Sequence, residues 1–401
     1  MSRIFYIVLI FLSACAPQFN SEPSEIHYKI TPQANGFLVE ITHDASVAPT
    51  MTSPAYYSTF SLQSSGNDHT VRYFIKPARR QAHGPSDTQI DLSEGFFKTS
   101  GYGLIACLGR KWDEAKSVRI TWQAPKPWRF ANSFSAGATQ QSFKASCYQL
   151  QNALYAGGTN LRFYETPLAT VAISNNASEK VNKKLIATVK KNMVKVKDFW
   201  GELDDAKEYY FVLIHPANGN EHGGTAQFQS FQLALADFTP SDASKELDHL
   251  IAHEYFHQWN GIKINVPVST QHEVRWFVEG FTDYFAFSIS GHTANFSNRF
   301  ENVSLKNYVS DMKTHFDVPY IQGRKIAADM DKAIQNYSSR KLEHLMRHIV
   351  RRSQADPLFY LTQASILGVI CEGNYMNCDQ AHQLIENHVN LGHPFVTASR
   401  D

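Results

Sequence analysis

Residues 244–287 read as two successive helices that are apolar on nearly every side and still carry a set of ionisable side chains. The first is predicted from about Ser244 to Trp259 and presents Leu247, Leu250, Ile251, Ala252, Tyr255, Phe256 and Trp259. The second begins near Glu273 and continues Val274-Arg-Trp-Phe-Val-Glu-Gly-Phe-Thr-Asp-Tyr-Phe-Ala-Phe. A helix of this kind is buried, so His253, Glu254, His257, Glu279 and Asp283 are expected inside a core. Burying such groups unpaired costs several kcal/mol. A bound cation removes that cost; the competing reading is a set of core histidines satisfied by hydrogen bonds.

His253-Glu254-Tyr255-Phe256-His257 is an H-E-x-x-H pattern. Two histidines four apart share one helix face, about 6 Å apart along the axis, so both imidazoles reach one ion. Glu254 stands beside them, placed to take a proton from water on that ion. His249 lies a further four residues back, about 12 Å along the axis from His257, and is read as lying behind the ligands or at the surface. Glu279 is the expected third ligand. Glu273 is its rival, but a carboxylate is favoured at a helix start in any case. Asp283, one turn beyond Glu279, is placed either to accept a hydrogen bond from a ligand histidine and fix its tautomer or to pair with a nearby Arg or Lys. Three protein ligands leave a fourth position for water, the mark of a catalytic zinc site. One Zn2+ per chain is expected.

The rest of the chain divides by texture. Residues 4–14 form a short apolar run after Arg3, about 16 Å long as a helix and too short for a bilayer core of about 30 Å. With small residues at its end it reads as a secretory signal. Residues 25–165 are strand-rich, with Val71-Arg-Tyr-Phe-Ile, Ser117-Val-Arg-Ile-Thr-Trp and Leu161-Arg-Phe-Tyr set between turn-forming residues, and are expected to form an antiparallel β domain. Residues 166–294 mix strands (Thr170–Ser174, Tyr209–Ile214, Thr225–Leu235) with helices, beginning with an amphipathic one from Ser178 to Trp200. Residues 295–401 read as helical, including Tyr337 to about Ser353 and Leu358 to Cys371. The fold class is therefore α+β. Of the cysteines, Cys107, Cys147, Cys371 and Cys378 allow three pairings. Cys371–Cys378 closes a short loop and leaves Cys107–Cys147, with free buried thiols as the alternative.

Two runs carry a family resemblance. His253-Glu-Tyr-Phe-His-Gln-Trp-Asn260 followed by Trp276-Phe-Val-Glu-Gly-Phe-Thr-Asp-Tyr284 resembles the glycyl aminopeptidase family of gluzincin zinc metallopeptidases. The resemblance implies a thermolysin-like α/β catalytic domain, an N-terminal β domain, His253, His257 and Glu279 as zinc ligands, and Glu254 as base. Asn218-Gly-Asn-Glu-His222 is similar to the family's substrate-strand pattern with its first Gly replaced. It implies Glu221 as the anchor for a substrate's free amine, with Gly223 and Gly224 letting the substrate backbone approach an edge strand. Related aminopeptidases place an oxyanion-donating Tyr at a helix start beyond the glutamate ligand. Tyr337 is the expected donor, with Tyr308 and Tyr320 as substitutes. The family's C-terminal PDZ domain has no counterpart in the helical reading of residues 295–401. Leu12-Ser-Ala-Cys15 resembles the lipobox of bacterial lipoproteins, which implies cleavage after residue 14, a lipid on Cys15 and a tether through residue 24.

Charge narrows the partners. Lys+Arg 38 against Asp+Glu 37 leaves a net charge of +1, which removes a bulk electrostatic case for nucleic acid. The expected partners are a peptide or protein substrate and, through the lipid anchor, a membrane of the bacterial cell envelope, facing the periplasm. The expected function is zinc-dependent peptide hydrolysis, aminopeptidase before endopeptidase. The alternative is a catalytically silent, zinc-retaining lipoprotein that acts as a binding scaffold.

Overall fold

The computed structural model describes residues 25–43, 51–52, 61–64, 70–77, 90–108, 113–175, 177–201, 209–217, 222–236, 244–267, 270–292, 304–311 and 315–391. The predicted signal, Cys15, the tether and Glu221 lie outside the described residues.

The fold is α+β, with sheets in the N-terminal half and helices towards the C-terminus. The first six-stranded sheet is antiparallel except where Ile26–Gln33 runs parallel to Lys116–Trp122. In Ile26–Gln33 the buried residues alternate as Ile26, Tyr28 and Ile30, the period of a strand with one covered face. A five-stranded sheet that includes Phe96–Ser100, Arg129–Asn132 and Leu154–Gly158 packs against it. Trp122 stacks on Phe130 between them at 4.8 Å. Cys107 and Cys147 are bridged, as are Cys371 and Cys378.

In the C-terminal half, counted from residue 161, the strands are β1 (Leu161–Glu165), β2 (Thr170–Ser174), β3 (Phe211–Pro216), β4 (Gly223–Gln227) and β5 (Ser230–Leu235). Their order in the sheet is β1-β2-β3-β5-β4, which leaves β4 at an edge. β1, expected at the close of the N-terminal β domain, instead pairs with β2 through a hairpin. The expected single strand Thr225–Leu235 is two, because Gln229 turns the chain at φ 48° and folds β4 back on β5. α1 (Glu179–Trp200) starts on the Ser178 cap and covers the sheet with Leu185, Val189, Met193 and Val196.

α2 (Ser244–Phe256) and α3 (Gln271–Ser290) follow. Beyond a short helix, α4 (Leu305–Ser310), comes α5 (Val318–Tyr337), then α6 (Leu342–Ala355). Two helix boundaries differ from those expected. Tyr337 ends α5 and does not open a helix, because Pro319 in a first turn starts the helix much earlier. Likewise the stretch from Leu358 becomes helical only at Gln363, after the Thr362 cap.

Candidate metal centre

α2 and α3 bury their apolar faces among Trp200, Phe256, Trp259, Phe277 and Phe285, and this packing turns His253, His257 and Glu279 towards one another. The Nε2 atoms of His253 and His257 are 3.1 Å apart. Glu279 Oε2 lies 3.2 Å from His257 Nε2 and 3.5 Å from His253 Nε2. Oε2 is buried without a hydrogen-bond partner among the described residues. Ligand atoms about 2.0–2.2 Å from a tetrahedral ion stand about 3.3–3.6 Å apart. Facing imidazole nitrogens and an orphaned carboxylate oxygen at these separations fit a cation better than a hydrogen-bonded core. Glu273, the rival ligand, is exposed on the first turn of α3.

The surroundings hold the ligands in place. His257 Nδ1 is 3.0 Å from the Asn260 carbonyl, which fixes the proton on Nδ1 and frees Nε2 as a ligand atom. Asn260 is fully buried, and its amide donates to the Phe277 and Val278 carbonyls and to Thr282 Oγ1. The turn after α2 is thereby tied to the helix that carries Glu279. Asn260 closes the family-like run that begins at His253, but the sequence reading assigned it no role of its own. Its signal was a polar residue directly after an all-apolar helix.

Asp283 does not hydrogen-bond a ligand histidine: His253 Nδ1 is 3.6 Å from Oδ1. Arg324 donates to Oδ2 at 2.6 Å, and His249 Nε2 contacts Oδ1 at 2.8 Å. His249 thus lies behind the ligands, as one of the two positions expected for it. His249, His253 and Asp283 also lie close enough to form a second metal-type cluster. It shares His253 with the first, and Arg324 already neutralises its carboxylate.

The electrostatics favour positive charge. Burial works against a charged His253, yet Asp283 and Glu279 raise its pKa to about 10. Burial also opposes ionisation of Glu279, but the two imidazoles hold its carboxyl well below the usual carboxylate range. Glu254 differs: burial pushes its carboxyl up, with His253 and His257 opposing. A carboxyl raised in this way suits a proton acceptor.

Glu254 lies against the edge strand. Its side chain rests on Gly224. Gly223 and Gly224 open β4 beside this carboxylate. Tyr337 is 54% exposed at the far end of α5, with no contact to the cluster. Tyr320, in the first turn of the same helix, stacks its ring on His253 with centroids 5.7 Å apart. It is the phenol the fold brings to the site. Pro319 beside it was the helix-start signal that could have found it.

Comparison with known proteins agrees with this geometry. Residues 205–356, less than half of the chain, match the Peptidase family M1 domain. The matched segment holds β3 to β5 and both helices of the cluster. The chain is similar in structure to an aminopeptidase N family protein from Idiomarina loihiensis, with TM-score 0.59 and 16% identity over 82% of this chain and 70% of that one. It is also similar to native yeast LTA4 hydrolase, with TM-score 0.56 and 13% identity over 95% of this chain and 70% of that one. At these identities the likeness shows the fold. No curated protein matches the sequence.

Proposed function

We propose that the chain is a zinc-dependent aminopeptidase, held to a membrane of the bacterial cell envelope by a lipid on Cys15. The observation that carries the enzymatic reading is the convergence of His253, His257 and Glu279 beside Glu254 and an open strand edge. Zinc bound by these three residues supplies Lewis acidity, which brings the pKa of water to about 7 and polarises a carbonyl.

The chain's own residues do the rest. The free edge of β4 offers backbone groups to an extended peptide. Glu254 takes the proton of the attacking water on its carboxylate and delivers it to the leaving amine. The Tyr320 hydroxyl donates a hydrogen bond to the oxyanion that forms at the scissile carbonyl. Glu221, which precedes β4 in the sequence, accepts the substrate's free ammonium. The lipid on Cys15 rests on the lipobox-like Leu12-Ser-Ala-Cys15 alone.

The test uses the soluble body without residues 1–15. About one zinc per chain is expected, with cleavage of free-amine peptides. Glu254→Gln should keep the metal and lose turnover. Equal cleavage of acetylated peptides would remove the exopeptidase assignment. Bound zinc without turnover of any peptide would favour the scaffold. For the anchor, Cys15→Ser in the full chain should move the protein from the membrane to the soluble fraction.

A further inference from the structure

Arg275 stands one turn before Glu279 on α3, with its side chain 26% exposed. Its Nε is 3.7 Å from Glu279 Oε1, an ion contact longer than a hydrogen bond. Nη1 donates to the Tyr308 hydroxyl at 3.4 Å. Tyr320 adjoins the same group: its ring lies 6.0 Å from that of Phe316, and its hydroxyl and the guanidinium act on each other electrostatically. Arg275 Cζ lies 4.4 Å from the ring centroid of Phe316 and 5.9 Å from that of Tyr308. The family resemblance assigns this residue no role.

We propose that Arg275 is a positioning residue that aims both Glu279 and Tyr320, an inference that rests on the metallopeptidase reading. A carboxylate has two oxygens to place. Arg275 draws Oε1 outward, and Oε2 is the atom left facing the imidazoles. A guanidinium has donors and no acceptor, so in a hydrogen bond between the two the Tyr320 oxygen is the acceptor. The phenol's own proton is then free for a substrate oxygen, and the adjacent positive charge makes it a stronger donor. Only a flat fork with several donors serves Glu279, Tyr308 and Tyr320 together. A lysine ammonium is a single point charge on a flexible stem.

The experiment compares zinc affinity, by chelator competition, with steady-state kinetics at saturating zinc, using the soluble body of the chain. Arg275→Met should weaken zinc binding by about 10–100-fold, the usual cost of losing an outer partner of a metal ligand. It should also lower kcat by about tenfold or more, while KM moves by less than about threefold. Arg275→Lys restores charge beside Glu279, so zinc affinity should return to within about threefold of wild type while kcat stays low. In a Tyr320→Phe background, Arg275→Lys should cost little further kcat, because the two act through one hydroxyl.

Wild-type zinc affinity and kcat in Arg275→Met would overturn the proposal. So would losses in Arg275→Lys and Tyr320→Phe that simply multiply. If Arg275→Met does not fold, the lysine variant and the cycle decide alone. A wild-type chain that takes up no zinc overturns the metallopeptidase reading and this one with it; an active zinc enzyme indifferent to Arg275 overturns only this one.

Discussion

A Cβ built on Gly224 would lie 2.5 Å from Glu254 Cγ and 2.6 Å from its Oε1. The glycine is therefore required by the base itself, beyond any approach of substrate. Gly224→Ala should push the Glu254 carboxylate out of place and lower kcat/KM by about a hundredfold, the usual result of an ångström-scale misplacement. Zinc content should stay at the wild-type level. Undiminished activity would show that Glu254 has room to move. Tyr320→Phe should lower kcat by about 10²–10³-fold, the loss typical of a single oxyanion donor. Tyr337→Phe, at the exposed end of α5, should have no effect. The cluster of His253, His257 and Glu279 was legible because two histidines one turn apart and a carboxylate in an apolar stripe have few other uses. Tyr320 was harder to find, since a phenol is at home in a core and carries no charge that demands an explanation.

α3 and α5 meet at glycines. A Cβ on Gly280 would come 2.3 Å from the Gly323 backbone, and one on Gly323 would come 2.0 Å from the Trp276 carbonyl oxygen. This close approach keeps the first turn of α5, with Tyr320, over the turn of α3 that bears Glu279. Gly280→Ala has backbone in its way and should destabilise the protein by about 1–3 kcal/mol, as overpacking does. Tyr320 should move with it, so kcat should fall in the fraction that folds. Gly368, in the helix Gln363–Glu372, has nothing within 4 Å of a Cβ. Gly368→Ala should leave the thermal midpoint unchanged or raise it, by up to about 1 kcal/mol of helix propensity. A lowered midpoint for Gly368→Ala would break the contrast. At this scale α1, α2 and α3 could be read from periodicity and burial. The β4–β5 hairpin could not, because Thr225–Leu235 keeps a strand's alternation across its turn and only Gln229, without a glycine's freedom, makes the bend. The end of α5 was misread because Tyr337-Ser-Ser resembles a capped start as much as a finish.

The N-terminal sheets hold the sheet of β1 to β5 from one side. Ala131, Leu154 and Ala156 pack with Ala172, Phe211 and Leu213 in one small core. Ser133 Oγ lies 2.8 Å from Ser230 Oγ, and Phe228 N donates to the Asn152 carbonyl. These contacts fall on the β4–β5 hairpin, so the N-terminal half braces the strand edge beside Glu254. His215 on β3 sits at the same seam, its ring 6.1 Å from that of Phe96. Burial, with Lys98 nearby, lowers its pKa from 6.5 to about 4, against the weaker pull of the Pro216 carbonyl and Asp91. The sign follows directly. Above pH 6.5 the residue is neutral whether the chain is folded or not, and its contribution is intact. Between 6.5 and about 4 the unfolded chain takes a proton that the folded seam refuses, so stability falls as pH falls. The full loss is on the order of 3 kcal/mol. His215→Phe keeps a flat ring beside Phe96 and removes the proton site. Denaturation measured from pH 7.5 to 4 should therefore give a shallower decline for the variant than for wild type, with the two differing most near pH 4. Parallel curves would mean that the seam admits a charged imidazole, and that the two halves are joined less tightly than their packing implies.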